Sequence, residues 1–243
     1  MITEIEGIIL NELSYGETSK IINVLTKEKG IIGIMCKGAK SMKSSIRAIT
    51  LPFTYVKLYI YYKENKLSIL KDVDLLNNFN NAKKDIMLIA YINYLTELIN
   101  QVAKHDYDEN LYDIFIEALK KIDEGFEPLV ITNIVELKCL SYLGINLNLD
   151  ECVNCGNKKN IITLDGDLGG YICQKCYTSE KIVLPKTIKL LRMYNYVDIK
   201  NISKINIEKE VSVEINYFLN RYYERYTGLY LKSKKFLDNL NNL

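Results

Sequence analysis

The chain has 243 residues, 48% hydrophobic and 26% charged, with three prolines and no tryptophan. That composition belongs to a folded globular protein and excludes a largely disordered or collagen-like chain. Its 32 basic and 30 acidic side chains leave a formal net charge of +2, which taken alone argues against the uniformly basic character of many nucleic-acid-binding domains.

The N-terminus, Met1-Ile2-Thr3-Glu4-Ile5-Glu6, carries two acids and no basic segment and does not read as a signal peptide. Residues 1–80 read as strands. Ile5 to Leu10, Lys20 to Leu25, Ile31 to Cys36, residues 54–62 and Leu67 to Val73 are β-rich runs. Glycines or charged residues separate them, at Tyr15-Gly16-Glu17, Lys27-Glu28-Lys29-Gly30 and Lys63-Glu64-Asn65-Lys66. Five strands with turn signals between them predict a small barrel, and the OB-fold is the five-stranded form whose open face binds oligonucleotides. In residues 54–62, Val56, Leu58 and Ile60 alternate with Tyr55, Lys57, Tyr59 and Tyr61, so the strand has one apolar face and one of tyrosine and lysine. That second face suits base stacking or packing against helices, and both uses stay open.

Residues 81–150 change to a helical pattern. Ile86, Ile89, Ile92, Leu95, Ile99 and Val102 recur at helical spacing. The stretch Ile86 to Ile99 falls short of the roughly 20 apolar residues of a membrane span, and it contains Glu97. Asp106 and Glu109 resemble a capping box opening a helix through Ile122. Glu127-Pro128 opens a third, which runs to Leu143 and stops at Gly144. After an insert over 151–180 the pattern returns over 181–243, from Pro185 through Leu190 and Leu191. It continues in a segment from Val211 to Tyr226 that places Val211, Ile215, Phe218 and Tyr222 on one face. The expected fold class is α+β and multi-domain: an OB-fold five-stranded β-barrel, an all-α domain in two parts, and a four-Cys module.

Within the insert, Cys152-Val153-Asn154-Cys155-Gly156 and Cys173-Gln174-Lys175-Cys176 are two C-x2-C pairs. Their separation matches the spacing of zinc sites. A tight turn lets two thiolates reach one ion at about 2.3 Å, and four complete a tetrahedron with no open position, so the expected Zn2+ is structural. Four unrelated thiols and a redox C-x-x-C are the competing readings; the second needs a strand-to-helix context that two pairs around a Gly-rich hairpin do not supply. A reducing, cytosolic setting fits cysteines used this way. Cys36 and Cys139 lie in apolar runs and read as packing residues.

The charges are unevenly placed: residues 1–80 carry +3, 81–150 carry −6, and 151–243 carry +5. No acid occurs between Glu28 and Glu64, a window centred on the small, polar loop with Lys37, Lys40, Lys43 and Arg47. Such a loop is either a solvated surface or a track for a phosphate backbone, which it would bind with release of counterions. Lys57, Tyr55 and Tyr59 extend it on the neighbouring strand. Arg221, Arg225, Lys232 and Lys235 share one face of a continuous helix, with Gly228 as a point of interruption.

Gly7-Ile8-Ile9-Leu10, Tyr15-Gly16-Glu17, Lys20-Ile21, Leu25 to Gly30, Lys37-Gly38-Ala39-Lys40 and Pro52-Phe53 follow one another in an order that resembles the bacterial RecO family in its zinc-containing form. So do Glu136-Leu137-Lys138, Leu143-Gly144, the two cysteine pairs with Gly169-Gly170 between them, and the tail Leu231 to Leu237. The resemblance covers nearly the whole chain. It departs where Lys stands in positions that often hold Arg, as at Lys40, which keeps the phosphate attraction and loses the bidentate fork. The resemblance implies a non-catalytic mediator of recombinational repair in the RecF pathway. It implies binding to single- and double-stranded DNA and annealing of complementary strands. Its implied protein partners are RecR, single-strand-binding protein and, indirectly, RecA. The family's DNA-binding surface maps onto Lys37, Lys40, Lys43 and Arg47.

Enzyme motifs are missing from the sequence: no Walker loop, no dinucleotide fingerprint and no H-E-x-x-H. The single histidine, His105, sits in a polar stretch, and Asp165 and Asp167 fit turn chemistry better than a paired-carboxylate site. Two alternatives to a DNA annealing protein stay open, a zinc-ribbon and OB-fold scaffold that binds only proteins, and an RNA-binding protein. No membrane or small-molecule partner is expected.

Overall fold

Ile5 and the apolar run Ile8-Ile9-Leu10 build the first element. In the computed structural model, which describes residues 2–203 and 207–241, β1 (Thr3–Tyr15) pairs with β2 (Ser19–Thr26), and β2 with β3 (Gly30–Cys36). β4 (Tyr55–Tyr61) pairs with β5 (Ser68–Asn77) and returns to β1, while β3 meets β5 in parallel, which closes a barrel of order β1-β2-β3-β5-β4. β1 serves both edges: residues Thr3 to Ile8 pair with β4 and Gly7 to Tyr15 with β2, with a bulge between Ile9 and Asn11 where the strand bends. Ile5, Ile9, Ile22, Val24, Ile34, Val56, Leu58 and Ile60 fill the interior. This is the five-stranded OB-fold-like barrel that the strand pattern predicts.

α1 (Ile86–Val102) begins where the Asp85 carboxylate accepts the Met87 N–H at 2.7 Å. α2 (Glu109–Asp123) departs from expectation at its start. Asp108, not Asp106, caps it, by accepting the Leu111 N–H at 2.9 Å. The reason is tertiary. Tyr107 donates its hydroxyl to the Thr26 carbonyl and lays its ring against Gly30, so residues 106 and 107 are drawn to the barrel and the helix starts after them. Lys27 pairs with Asp113 at 3.2 Å, and the Asp123 carboxylate accepts the N–H groups of Asn81 and Ala82 at 2.9 Å each. These bonds tie α2 to the barrel in one compact unit, Met1–Asp123.

The second unit, Glu124–Leu243, is built around α3 (Pro128–Tyr142), which opens with Pro at its first position. Residues Val130 to Leu137 of α3 are all buried. The helix ends in a Schellman motif: Gly144 takes φ +70°, its N–H bonds the Ser141 carbonyl at 3.1 Å, and the Ile145 N–H bonds the Leu140 carbonyl at 2.9 Å. Strands β6 (Asn148–Cys152), β7 (Ile161–Asp165) and β8 (Gly170–Cys173) form a small sheet of order β6-β8-β7. Helices α4 (Pro185–Tyr196), α5 (Lys209–Tyr226) and α6 (Lys232–Asn241) complete the unit. Val211, Ile215, Phe218 and Tyr222 of α5 are buried, as their spacing predicts. Among the described residues no helix is long and apolar enough to cross a membrane.

Candidate metal centre and nucleic-acid interface

The two cysteine pairs sit at the ends of the inner and outer strands of the small sheet. Cys152 ends β6 and Cys173 ends β8, so strand pairing brings the two segments together. The first turn closes with the Gly156 N–H on the Cys152 carbonyl at 2.9 Å, with Gly156 at φ +69°. The second closes with the Cys176 and Tyr177 N–H groups on the Cys173 carbonyl, both at 3.0 Å. The four sulfurs lie within 4.8 Å of one another, and Cys155 Sγ is 3.6 Å from Cys173 Sγ. The Cys173 N–H points at Cys152 Sγ from 3.4 Å.

The donor set has the chemistry of a cation site. Burial pushes the Cys152 thiol up, but the N–H groups of Cys173, Asn154 and Cys155 outweigh it and bring the pKa down to about 6. Cys176 is pushed up to about 12, first by its hydrogen bond with Cys155 and then by burial. Four thiolates within 4.8 Å of one another repel, so holding all four deprotonated requires a positive ion between them. Cys152, Cys155, Cys173 and Cys176 can hold one metal ion and leave no open position for a substrate. The remaining two cysteines are fully buried packing residues, and burial raises Cys36 to about 12.

In the hairpin between the pairs, the carboxylates serve turn chemistry rather than catalysis. Asp165 accepts the N–H groups of Asp167 and Leu168 at 2.7 and 2.9 Å. The hairpin also lies on α5: Arg221 pairs with Asp167 at 2.8 Å, and the Tyr226 hydroxyl donates to the Asp167 carbonyl. Arg225 is exposed. α5 ends at Tyr226 and the chain turns through Gly228 at φ +62°, so Arg221 and Arg225 lie on a different helix from Lys232 and Lys235.

In the barrel, Lys37, Lys40, Lys43 and Arg47 are all exposed on the connection from β3 to β4. This connection is pinned. Ala39 and Thr50 are buried, and Ile46 and Ile49 pack against the barrel core. The Lys40 N–H bonds the Thr18 carbonyl at 2.8 Å, the Gly38 N–H bonds Ser19 Oγ at 3.3 Å, and the Phe53 N–H bonds the Ile9 carbonyl at 2.8 Å. Among the described residues, Lys37, Lys40 and Lys43 have no carboxylate partner. Arg47 touches Met42 Sδ at 2.7 Å.

The tyrosine–lysine row on β4 faces carboxylates from both neighbouring strands, which sequence reasoning missed. The Tyr55 hydroxyl donates to Glu6 at 2.9 Å and the Tyr59 hydroxyl to Asp74 at 3.0 Å, while Lys57 pairs with Glu4 at 2.9 Å. Tyr55 is half-buried next to Tyr112 of α2. Hydrogen bonding to Asp74 holds the Tyr59 hydroxyl above its ordinary range, and Glu4 does the same for Lys57. The signal was present in the i, i+2 spacing of Glu4 and Glu6, but only the register with β4 reveals whom they face.

Family models cover almost the whole chain. Residues 1–79 match "Recombination protein O N terminal" and residues 83–235 match "Recombination protein O C terminal". The chain is 34% identical over 247 residues to the DNA repair protein RecO of Bacillus subtilis, covering 100% of this chain and 96% of that protein. It is 33% identical to the RecO of Exiguobacterium sibiricum, over 100% of this chain and 99% of the relative. With the RecO of Listeria innocua the identity is 32%, over 97% and 94% of the two chains. A closed five-stranded barrel, a four-cysteine ribbon inside a helical unit, and relatives matched from end to end place the chain in the recombination protein O family of non-catalytic DNA repair and recombination proteins.

Proposed function

We propose that this protein is a DNA-binding mediator of RecF-pathway recombinational repair. It binds single- and double-stranded DNA, anneals complementary strands and, with RecR, helps RecA load onto DNA coated by single-strand-binding protein. The observation that carries this reading is the β3–β4 connection: four exposed cations on a pinned backbone, in a window from residue 29 to 63 without one acid. Because the connection is already ordered by Ala39, Ile46, Ile49 and Thr50, phosphates bind there with little loss of backbone freedom. Neutralising phosphates on two strands reduces their mutual repulsion, which is what annealing needs. Lys57 joins this track by exchanging Glu4 for a phosphate, with the rings of Tyr55 and Tyr59 beside it. Arg221 and Arg225 offer a separate basic point on α5. The protein acts in the cytoplasm, at the nucleoid.

The ion for which the four cysteines are built is Zn2+. Thiolates around zinc at about 2.3 Å form a tetrahedron with edges of about 3.8 Å, close to the 3.6 Å between Cys155 and Cys173 sulfurs. When bound, it supplies a structural cross-link and no reaction chemistry.

The test is binding of a labelled single-stranded oligonucleotide at several salt concentrations, read by fluorescence anisotropy. Replacing Lys37, Lys40, Lys43 and Arg47 together by Ala is expected to weaken binding at least about tenfold at low salt. It should also flatten the log–log salt slope by about 0.7 for each phosphate that is no longer neutralised. Unchanged affinity and slope remove the loop from the interface. Strand annealing with and without single-strand-binding protein tests the activity itself, and a preference for RNA in competition supports the RNA-binding alternative.

A further inference from the structure

The hairpin joining β1 to β2 reaches past the barrel and carries apolar side chains that the fold does not use. β1 pairs with β4 only as far as Ile8, whereas its pairing with β2 continues to Tyr15 and Ser19. From Asn11 onward β1 is therefore the free edge of a ribbon shared with β2 and β3, and only Tyr15, opposite Ser19, reaches past β3. On one side of that ribbon Lys20, 3% exposed, meets Glu12 at 2.5 Å and pairs in register with the buried Cys36, so this side belongs to the barrel mouth. The other side carries Leu13 and Tyr15, which are 58% and 56% exposed. Register extends this apolar side sideways, from Leu13 to Ile21 on β2 and from Ile21 to Met35 on β3.

Water opposes such an arrangement, and a ribbon of polar residues would satisfy the same backbone pairing. The occupant of this side is indicated by what is bonded to it. The turn of the hairpin is the anchor of the basic connection: Thr18 accepts from Lys40 N–H at 2.8 Å and Ser19 from Gly38 N–H at 3.3 Å. An exposed aromatic ring and an aliphatic row therefore sit on the same bonded piece of backbone as Lys37 and Lys40. Apolar area beside unpaired cations fits a ligand whose charge runs along one edge and whose flat apolar faces lie along the other. Single-stranded nucleic acid has that form, and a duplex, with its bases stacked inward, does not.

We infer that Tyr15 and Leu13 are base-contacting residues, on which unpaired bases rest while Lys37 and Lys40 hold the phosphates next to them. This rests on the proposed role of the basic connection and adds to it the part that distinguishes single strands from duplex. The two parts differ in how they respond to salt. Stacking on bases releases no counterions, so removing it lowers affinity without changing the salt slope.

Because the chain contains no tryptophan, Tyr15→Trp introduces a single indole at the hairpin. Addition of an unlabelled single-stranded oligonucleotide is expected to quench its fluorescence, saturating where anisotropy shows binding to saturate, while duplex DNA of the same length quenches much less. In parallel, Leu13→Ala with Tyr15→Ala is expected to weaken single-strand binding about tenfold, from the loss of one or two stacked bases. Its salt slope and duplex affinity should be unchanged, and Tyr15→Phe should restore the loss. Binding without quenching, or single-strand affinity unaffected by the double change, overturns the inference and leaves the apolar side to a protein partner. A wild-type protein that binds no DNA at all overturns the basic-connection reading as well.

Discussion

Gly169 shows how one missing side chain holds the cysteine ribbon in place. At φ +76° it occupies the left-handed region, and a Cβ added there would stand 2.6 Å from the Tyr222 ring of α5. Gly144 takes a similar φ of +70° with nothing within 4 Å of its would-be Cβ. The pair separates backbone strain from collision. Gly144→Ala is expected to cost about 1–2 kcal/mol, the penalty of a left-handed L-residue. Gly169→Ala should cost that and about 1–3 kcal/mol more, because the ring must move or the hairpin must lift. Urea unfolding of the two variants measures the difference; equal losses would show that the hairpin is free to shift off α5. At this scale the sequence was legible where constraints are local. Two thiols in a C-x2-C turn, the Asp165 turn and the glycine after Leu143 each depend on neighbours within a few residues. The partners of Tyr55, Lys57 and Tyr59 depend on which residues of β1 and β5 lie opposite, and register is a property of the assembled sheet.

The elements themselves were legible for the same reason. β-rich runs between turn signals marked five strands, alternation marked the two faces of β4, and the spacing of Ile86 to Val102 marked a helix, because periodicity follows from how often a side chain returns to one face. Their ends were less so. Asp106 with Glu109 satisfies the capping-box pattern, yet Tyr107 is bonded to Thr26 of the barrel and the start of α2 passes to Asp108. A substitution pair tests that reading. Asp108→Ala should destabilise the protein by about 1 kcal/mol, as for loss of a helix N-cap. Asp106→Ala removes only a local bond to the Tyr107 N–H and should change stability by less than about 0.5 kcal/mol. A larger loss from Asp106→Ala in thermal or urea unfolding would reinstate it as the cap. The break between α5 and α6 is of the same kind: Gly228 marked the place, but a helical spacing of arginines and lysines on either side of it carried no information on whether the helix continues.

For the whole molecule, the decisive property is that charge, core and metal site are distributed among parts that fold for different reasons. A net charge of +2 conceals +3 over residues 1–80, −6 over 81–150 and +5 over 151–243. The basic connection belongs to a barrel with its own apolar interior, inside the unit Met1–Asp123. The cysteine ribbon lies in the unit Glu124–Leu243 and has three short strands, too little to fold without a cross-link. If the cluster holds the proposed Zn2+, removing it should therefore act unevenly. After treatment with a strong chelator, hydrogen exchange is expected to accelerate across Asn148–Cys173, where β6 and β8 would lose the proposed ion between their cysteine ends. Protection in β2 and β3 should persist, because that core is closed by its own side chains. Affinity for single-stranded DNA should change by less than about twofold, a shift of under about 0.5 kcal/mol, since the exposed cations of the connection are anchored by Ala39, Ile46 and Thr50 rather than by the metal. The opposite result, loss of DNA binding in step with metal release, would move the interface to the basic side chains of the second unit, Arg221 and Arg225 among them.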